Sequence, residues 1–274
     1  MSKHTALGLA GATAFGGACF LFYVFSKKPP PQSSFPSEQE RKAIFDKNAV
    51  TWDGGIGLDE ALLGIRSLRK QLVTRAQGDV LEVAAEGETG GRSRSSWNAR
   101  LARTGRNFRF YDPAKVKSLV VTDFSRLMLR KALEKKEALR GIPAEFKLQN
   151  SAKMKFPDES FDAVVDTFGV CSYEKPVETL QELKRVIKPG GALLLLEHGE
   201  SSWIYFQKKL ERSLLRHVWK FGCYHNRPIR QLVNDAGFDV VFEKRRVFGT
   251  IYLIVARKPA KEHVRQLLDR KEEE

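Results

Sequence analysis

At 274 residues, 42% hydrophobic and 29% charged, the chain can bury one good core and has the composition of a globular protein. Its net charge of +14 invites an anionic partner, but Lys and Arg are spread through the chain without a recognisable nucleic-acid motif, so nucleic acid is not the expected partner. Three cysteines, Cys19, Cys171 and Cys223, are odd in number and far apart, and the histidines show neither HxxxH nor HExxH spacing; no disulfide framework can be built, and no metal is expected.

Thr5 to Phe25 carries no charge, and roughly 21 residues at about 1.5 Å each span about 30 Å, the thickness of a bilayer's hydrocarbon core. Phe20, Phe22, Tyr23 and Phe25 crowd its end and Lys27 and Lys28 follow, an aromatic and basic interface. Residues 1–26 are therefore expected to be a single-pass membrane anchor. A cleaved signal peptide competes with that reading, but the run exceeds a usual apolar region and KKPPPQ offers no small-residue cleavage site. Residues 27–42 form a Pro- and Ser-rich linker, the main domain covers 43–258, and 259–274 is a charged tail.

Within the domain, DEALLGIRSLRKQLV has helical apolar spacing, after which short apolar runs alternate with amphipathic stretches. Strands are predicted at 80–84, 118–123, 146–150, 161–168, 192–197, 239–246 and 249–258. Helices are predicted at 126–139, 177–187, 203–219 and 228–236. Continuous Val and Leu runs mean strands covered on both faces, so the expected fold is α/β, a seven-stranded, mostly parallel, doubly wound sheet. The last two strands, joined by a tight link, should form an antiparallel hairpin at one edge.

In such a sheet ligands sit at the carboxyl ends of the strands. Glu82 closes the first strand, where small residues should let backbone approach a ligand, and Asp123 closes the second, where an acid can accept from ribose hydroxyls. DFSRLM can equally be read as a helix cap. Downstream, FPDESFDAVVDTFGVCS and LKRVIKPGGALLLLEHG run strand, helix, KPGG turn and strand in an order that resembles the class I S-adenosylmethionine-dependent methyltransferases, type 11 domain. Within that family, KNAVTWDGGIGLDEALLGIRSLRKQLV and EHGESSWIYFQKKLERSLLRHVWKFGCYHNRPI most resemble membrane-anchored fungal mitochondrial inner-membrane proteins and the related thiol methyltransferases of the endoplasmic reticulum. The resemblance covers roughly residues 43–258.

The resemblance implies S-adenosyl-L-methionine as cofactor, bound by Glu82, Ala84, Gly105, Asp123, Phe124, Ser151, Ala152 and Thr167. Ser151 stands where the family often has an acid. Glu86 to Arg103 looks like an insertion in the glycine-rich cofactor loop. One register joins Glu82-Val-Ala-Ala to Thr104-Gly-Arg-Asn; another turns on Gly87, Gly90 and Gly91. For a methyl acceptor that must lose a proton, His198 is the first candidate base and Asp166 the second, with Glu197 and His198 alternatively orienting their loop. Cys171 is expected to pack rather than attack. Tyr205, Trp219, Tyr224 and His225 fall where related enzymes build an acceptor pocket, or are core aromatics. The expected protein methylates a small, lipophilic acceptor such as a quinone-like or thiol compound at a membrane, the mitochondrial inner membrane before the endoplasmic reticulum. The alternative is an inactive methyltransferase-like scaffold for assembly of a membrane complex.

Overall fold

The computed structural model describes residues 34–37, 39–41, 43–44, 63–83 and 105–260. The expected anchor, the first part of the linker, Ala84, the insertion at 86–103 and most of the tail lie outside the described residues. Among the described residues, no helix is long and apolar enough to cross a membrane.

Helix α1 (Ile65–Val73) leads into strand β1 (Gly78–Val83). Strand β2 (Val116–Asp123), helix α2 (Arg126–Leu133) and strand β3 (Ala144–Leu148) follow, then strand β4 (Phe161–Thr167) and helix α3 (Pro176–Val186). Strand β5 (Ile187–His198), helix α4 (Ile204–Phe221), helix α5 (Ile229–Asp235) and the hairpin β6 (Asp239–Arg246) and β7 (Ile251–Arg257) follow among the described residues. The seven strands form one sheet in the order β3-β2-β1-β4-β5-β7-β6. The first five are parallel, and β7 pairs antiparallel with both β5 and β6. The expected edge hairpin is present, with β6 outermost.

The continuous apolar strands are sandwiched as their composition requires. Leu194 and Leu196 face a core with Leu68 and Leu72 of α1, whereas Leu193 and Leu195 face Leu180 and Leu183 of α3. Alternation along β5 therefore feeds both layers at once.

Most boundaries differ from the sequence reading by only one or two residues, and two differ by more. The helix expected over 126–139 breaks after Leu133, and a short 3-10 turn spans Lys136–Leu139. The charged run Glu134 to Glu137 offers no apolar face, so the chain is pinned again only where Leu139 is buried. Strand β5 starts five residues early, because the KPGG turn is itself paired: Gly190 N–H donates to the Lys258 carbonyl at 2.9 Å and Lys258 N–H to that of Gly191 at 3.0 Å. Gly190 has φ +73°, the left-handed region that suits glycine.

Leu195 is fully buried in the central parallel stretch, so Leu195→Ala should cost about 2–5 kcal/mol of unfolding free energy, measured as a lower urea midpoint at unchanged slope.

Candidate functional site

The carboxyl ends of β1, β2, β4 and β5 carry Glu82, Asp123, Thr167 and His198. Parallel registry sets them along one edge: Val83 lies opposite Thr122 on one side and Asp166 on the other, and Thr167 lies opposite Leu196.

Glu82 is almost fully buried and accepts a hydrogen bond from the Tyr111 hydroxyl at 2.6 Å. Burial pushes its carboxyl up to about 7, against the opposing pull of Tyr111, Arg69 and Asn107. Arg69 reaches over from α1 and donates to Asn107 Oδ1 at 2.9 Å and to Thr167 Oγ1 at 2.9 Å. The segment resuming at Gly105 is thus drawn against the end of β1. Gly105 has φ +79°, and a Cβ there would meet the Phe108 ring at 3.0 Å.

Asp123 is buried at the end of β2, and its Oδ1 accepts from Ser125 N–H at 2.8 Å. The cap of α2 is Ser125, whose hydroxyl accepts from Met128 N–H at 3.3 Å, so Asp123 is not the cap that DFSRLM suggested. Phe124 and Ser151 are buried beside it in sequence and in the turn after β3, where Ala152 N–H donates to Asn150 Oδ1 at 2.9 Å. A buried carboxylate closing β2, with an apolar ring and a polar turn on the next strand, has the donor set that suits an adenosine.

The other half of the edge is organised by Glu197. Its Oε1 accepts from Gly169 and Val170 N–H at 2.9 and 3.2 Å, and Oε2 from Cys171 N–H at 3.3 Å. Burial, and then the charge of nearby Asp166, raises its carboxyl well above the usual range, while the three N–H donors favour the ionised form. Asp166 has no exposure; its Oδ2 accepts from the Tyr173 hydroxyl at 2.7 Å, and burial raises it to about 7. The Gly169 backbone is packed against that carboxylate, with a Cβ there meeting Oδ1 at 2.3 Å.

His198 follows Glu197, and its Nε2 lies 3.5 Å from Cys223 Sγ; His217 Nε2 lies 3.4 Å from the same sulfur. Burial raises the Cys171 thiol, whereas a hydrogen bond from Cys171, then His198 and His217, hold Cys223 well below its usual value. Burial also lowers His217 and His225. His225 packs on His217 with ring centroids 3.9 Å apart. Of the other aromatics, Tyr205 is exposed at the start of α4, and Trp219 Nε1 donates to the Ser34 carbonyl at 2.9 Å. Tyr224 lies between Phe35 and the guanidiniums of Arg41 and Arg227. Arg69, Tyr111, His217 and Cys223 were not singled out as site residues from sequence. Arg69 and Tyr111 have partners remote in sequence, and His217 and Cys223, six residues apart, follow no recognised ligand spacing.

The profile described as Methyltransferase domain matches residues 102–195. The mitochondrial methyltransferase OMS1 of Saccharomyces cerevisiae is 27% identical over 231 residues, covering 78% of this chain and 45% of that protein. A demethylmenaquinone methyltransferase of Thermus thermophilus is 31% identical over 160 residues, 52% of this chain and 72% of that enzyme. The thiol S-methyltransferase TMT1B of Homo sapiens is 28% identical, over 52% of this chain and 59% of that protein. This chain thus spans less than half the length of the yeast relative. Among solved structures, the N-methyltransferase NodS of Bradyrhizobium japonicum bound to S-adenosyl-L-homocysteine shares the fold, with a TM-score of 0.56 at 12% identity over 80% of this chain and 98% of NodS. The chain belongs to the class I S-adenosylmethionine-dependent methyltransferases, whose cofactor is S-adenosylmethionine.

Glu82 and Asp166 both hold a proton more tightly folded than unfolded, from ordinary values of 4.5 and 3.8 up to about 7. Their contribution is present at low pH and is lost as pH rises through that window, by up to about 1.4 kcal/mol per pH unit for each group. Glu197 is raised in the same sense and His217 and His225 are shifted in the opposite one, so the effect is read as a difference: the unfolding free energy of the wild type minus that of Asp166→Asn, from urea titrations, should fall between about pH 4 and about pH 7.

Proposed function

We propose that the protein transfers a methyl group from S-adenosylmethionine to a small, largely apolar acceptor of the quinone or thiol class. The observation that carries this is the row of buried polar groups, Glu82, Asp123 and Ser151, at the carboxyl edge of a parallel sheet within this family's fold. Asp123 would hold the ribose hydroxyls, Phe124 the adenine face, and Ser151 and Ala152 its polar edge. Gly105, with the loop that begins at Ala84, would take the amino-acid portion, and Glu82 and Thr167 brace that loop through Asn107 and Arg69. The relatives named for menaquinone and thiol chemistry support the acceptor class, and the mitochondrial relative supports a mitochondrial location. The uncharged run from Thr5 to Phe25 would tether the enzyme to the inner membrane, with the endoplasmic reticulum, which the sequence resemblance also implies, as the other destination.

The cofactor supplies a sulfonium-activated methyl group, so the protein's work is alignment and removal of one proton. The chain excludes water with Phe124 and Phe168 and holds the acceptor at the β4–β5 end. His198 Nε2 accepts the proton from the acceptor's oxygen or sulfur as that atom bonds to the methyl carbon. The products are the methylated acceptor, S-adenosylhomocysteine and a proton. Asp166, enclosed by Tyr173 and the Gly169 backbone, is assigned to positioning that loop rather than to proton transfer.

Titration calorimetry of S-adenosylhomocysteine into the full chain tests the cofactor site. Asp123→Ala should weaken binding about 10- to 100-fold, the value of lost hydrogen bonds to a charged group. A folded protein that binds no S-adenosylhomocysteine would favour the scaffold reading. Against a panel of demethylated quinones and small thiols, His198→Ala should lower kcat about 100-fold or more while leaving S-adenosylhomocysteine affinity intact.

A further inference from the structure

Beyond the methyl-transfer machinery, the described residues bring together Cys171, His198 and Cys223, whose ligand atoms all lie within 4.8 Å of one another. His217 joins them through Cys223 Sγ at 3.4 Å. We propose that Cys171, His198 and Cys223, with His217 in the fourth position, form a binding site for a soft divalent metal of the zinc class.

For the three residues that lie together the dimensions suit this; His217 stands outside their group, beside Cys223, and would turn about its side-chain bonds to complete the shell. Zinc bonds of about 2.3 Å to sulfur and about 2.0–2.1 Å to nitrogen, at tetrahedral angles, set ligand atoms about 3.6 Å apart for sulfur and nitrogen and about 3.8 Å for two sulfurs. The two sulfur–nitrogen separations at Cys223 are 3.5 and 3.4 Å. The donors also come with a rigid frame. Cys171 is held by its N–H on Glu197, and its carbonyl accepts from Tyr224 N–H at 2.8 Å, so both cysteine segments are stitched together. Gly222 ends α4 in the left-handed conformation, φ +79°, which turns the chain so that Cys223 follows His217 back towards β5. Both cysteines are buried, where water competes weakly for a metal. Two thiolates and two neutral imidazoles give a neutral zinc complex, so a buried ion would bring no net charge into the core. A disulfide between the cysteines would leave the two imidazoles without a role.

A metal-bound Nε2 cannot accept a proton, so metal binding and proton transfer at His198 are alternatives. The binding site itself does not depend on the methyltransferase reading, and its test uses neither cofactor nor acceptor.

The full chain, purified under reducing conditions, should carry about one zinc per molecule by mass spectrometry of its metals. Replacement by cobalt(II) alone should produce thiolate-to-cobalt charge-transfer absorption and intense visible bands of tetrahedral geometry. Cys223→Ser should remove the charge-transfer component from that sulfur and weaken cobalt binding about 100-fold or more; His217→Ala should alter the visible bands and weaken binding about 10-fold or more. Cys19→Ser should change neither, with circular dichroism confirming that each variant is folded. The proposal is overturned if reduced, folded wild-type protein gives no thiolate–cobalt absorption. Equal binding by the Cys171→Ser, Cys223→Ser double variant would also overturn it, as would metal-excluding oxidation of freshly reduced protein to a Cys171–Cys223 disulfide. Any of these leaves the calorimetric result for S-adenosylhomocysteine unaffected, so the two readings fail separately.

Discussion

A carboxylate with no exposure to water, Glu197, accepts hydrogen bonds from three consecutive backbone N–H groups of the loop after β4. Much of the β4–β5 end of the molecule depends on that arrangement. Three N–H groups left unpaired in this core would each cost on the order of 1–3 kcal/mol, so the loop has one strongly preferred path. That path puts Cys171 beside Cys223 and presses Gly169 onto Asp166. The glycine is required by contact here: the Asp166 carboxylate occupies the space any side chain would need. Strand order supplies the coarse placement of the site, and one buried acid supplies the fine placement.

The two halves of the carboxyl edge use buried charge differently. At β1 and β4, Arg69 crosses from α1 to bind Asn107 and Thr167, so a cation on a helix ties two strand ends and the returning loop together. At the β4–β5 end, Glu197 of β5 meets backbone N–H groups and Asp166 of β4 a tyrosine hydroxyl instead of a cation. Burying ionisable groups in this way raises their affinity for protons and lowers stability when they ionise. A frame of this kind trades stability for a defined geometry next to the reacting groups.

Much of the fold was legible because each signal was continuous. Short uninterrupted runs such as ALLLL, opened by a KPGG turn, fit strands covered on both faces, and the link between β6 and β7 is too short for a parallel crossover. The boundaries that moved did so through long-range pairing: the KPGG turn joins β5 because Lys258 hydrogen-bonds to it, which no local propensity encodes. The candidate site was legible where residues close a strand, as Glu82, Asp123 and His198 do. It was opaque where a side chain looks ordinary in its own element. Arg69 reads as the solvated cation of an amphipathic helix, and His217 as one more residue of α4. Cys171 and Cys223 read as unrelated because the segments carrying them meet only when α4 folds back across the end of the sheet.

The contacts of the short segment from Ser34 to Arg41 bear on how the molecule opens. Ser34 accepts from Trp219, Phe35 lies against Tyr224, and Arg41 donates to the Ser172 carbonyl at 2.9 Å and pairs with Glu174. None of these contacts belongs to the sheet. Local opening of this strap therefore requires far less free energy than global unfolding, and hydrogen exchange at the Cys171 to Tyr224 junction can be set by the strap while the strands beneath stay closed. In kinetic terms, the part of the protein nearest its sulfur and imidazole groups can exchange with solvent on its own timescale.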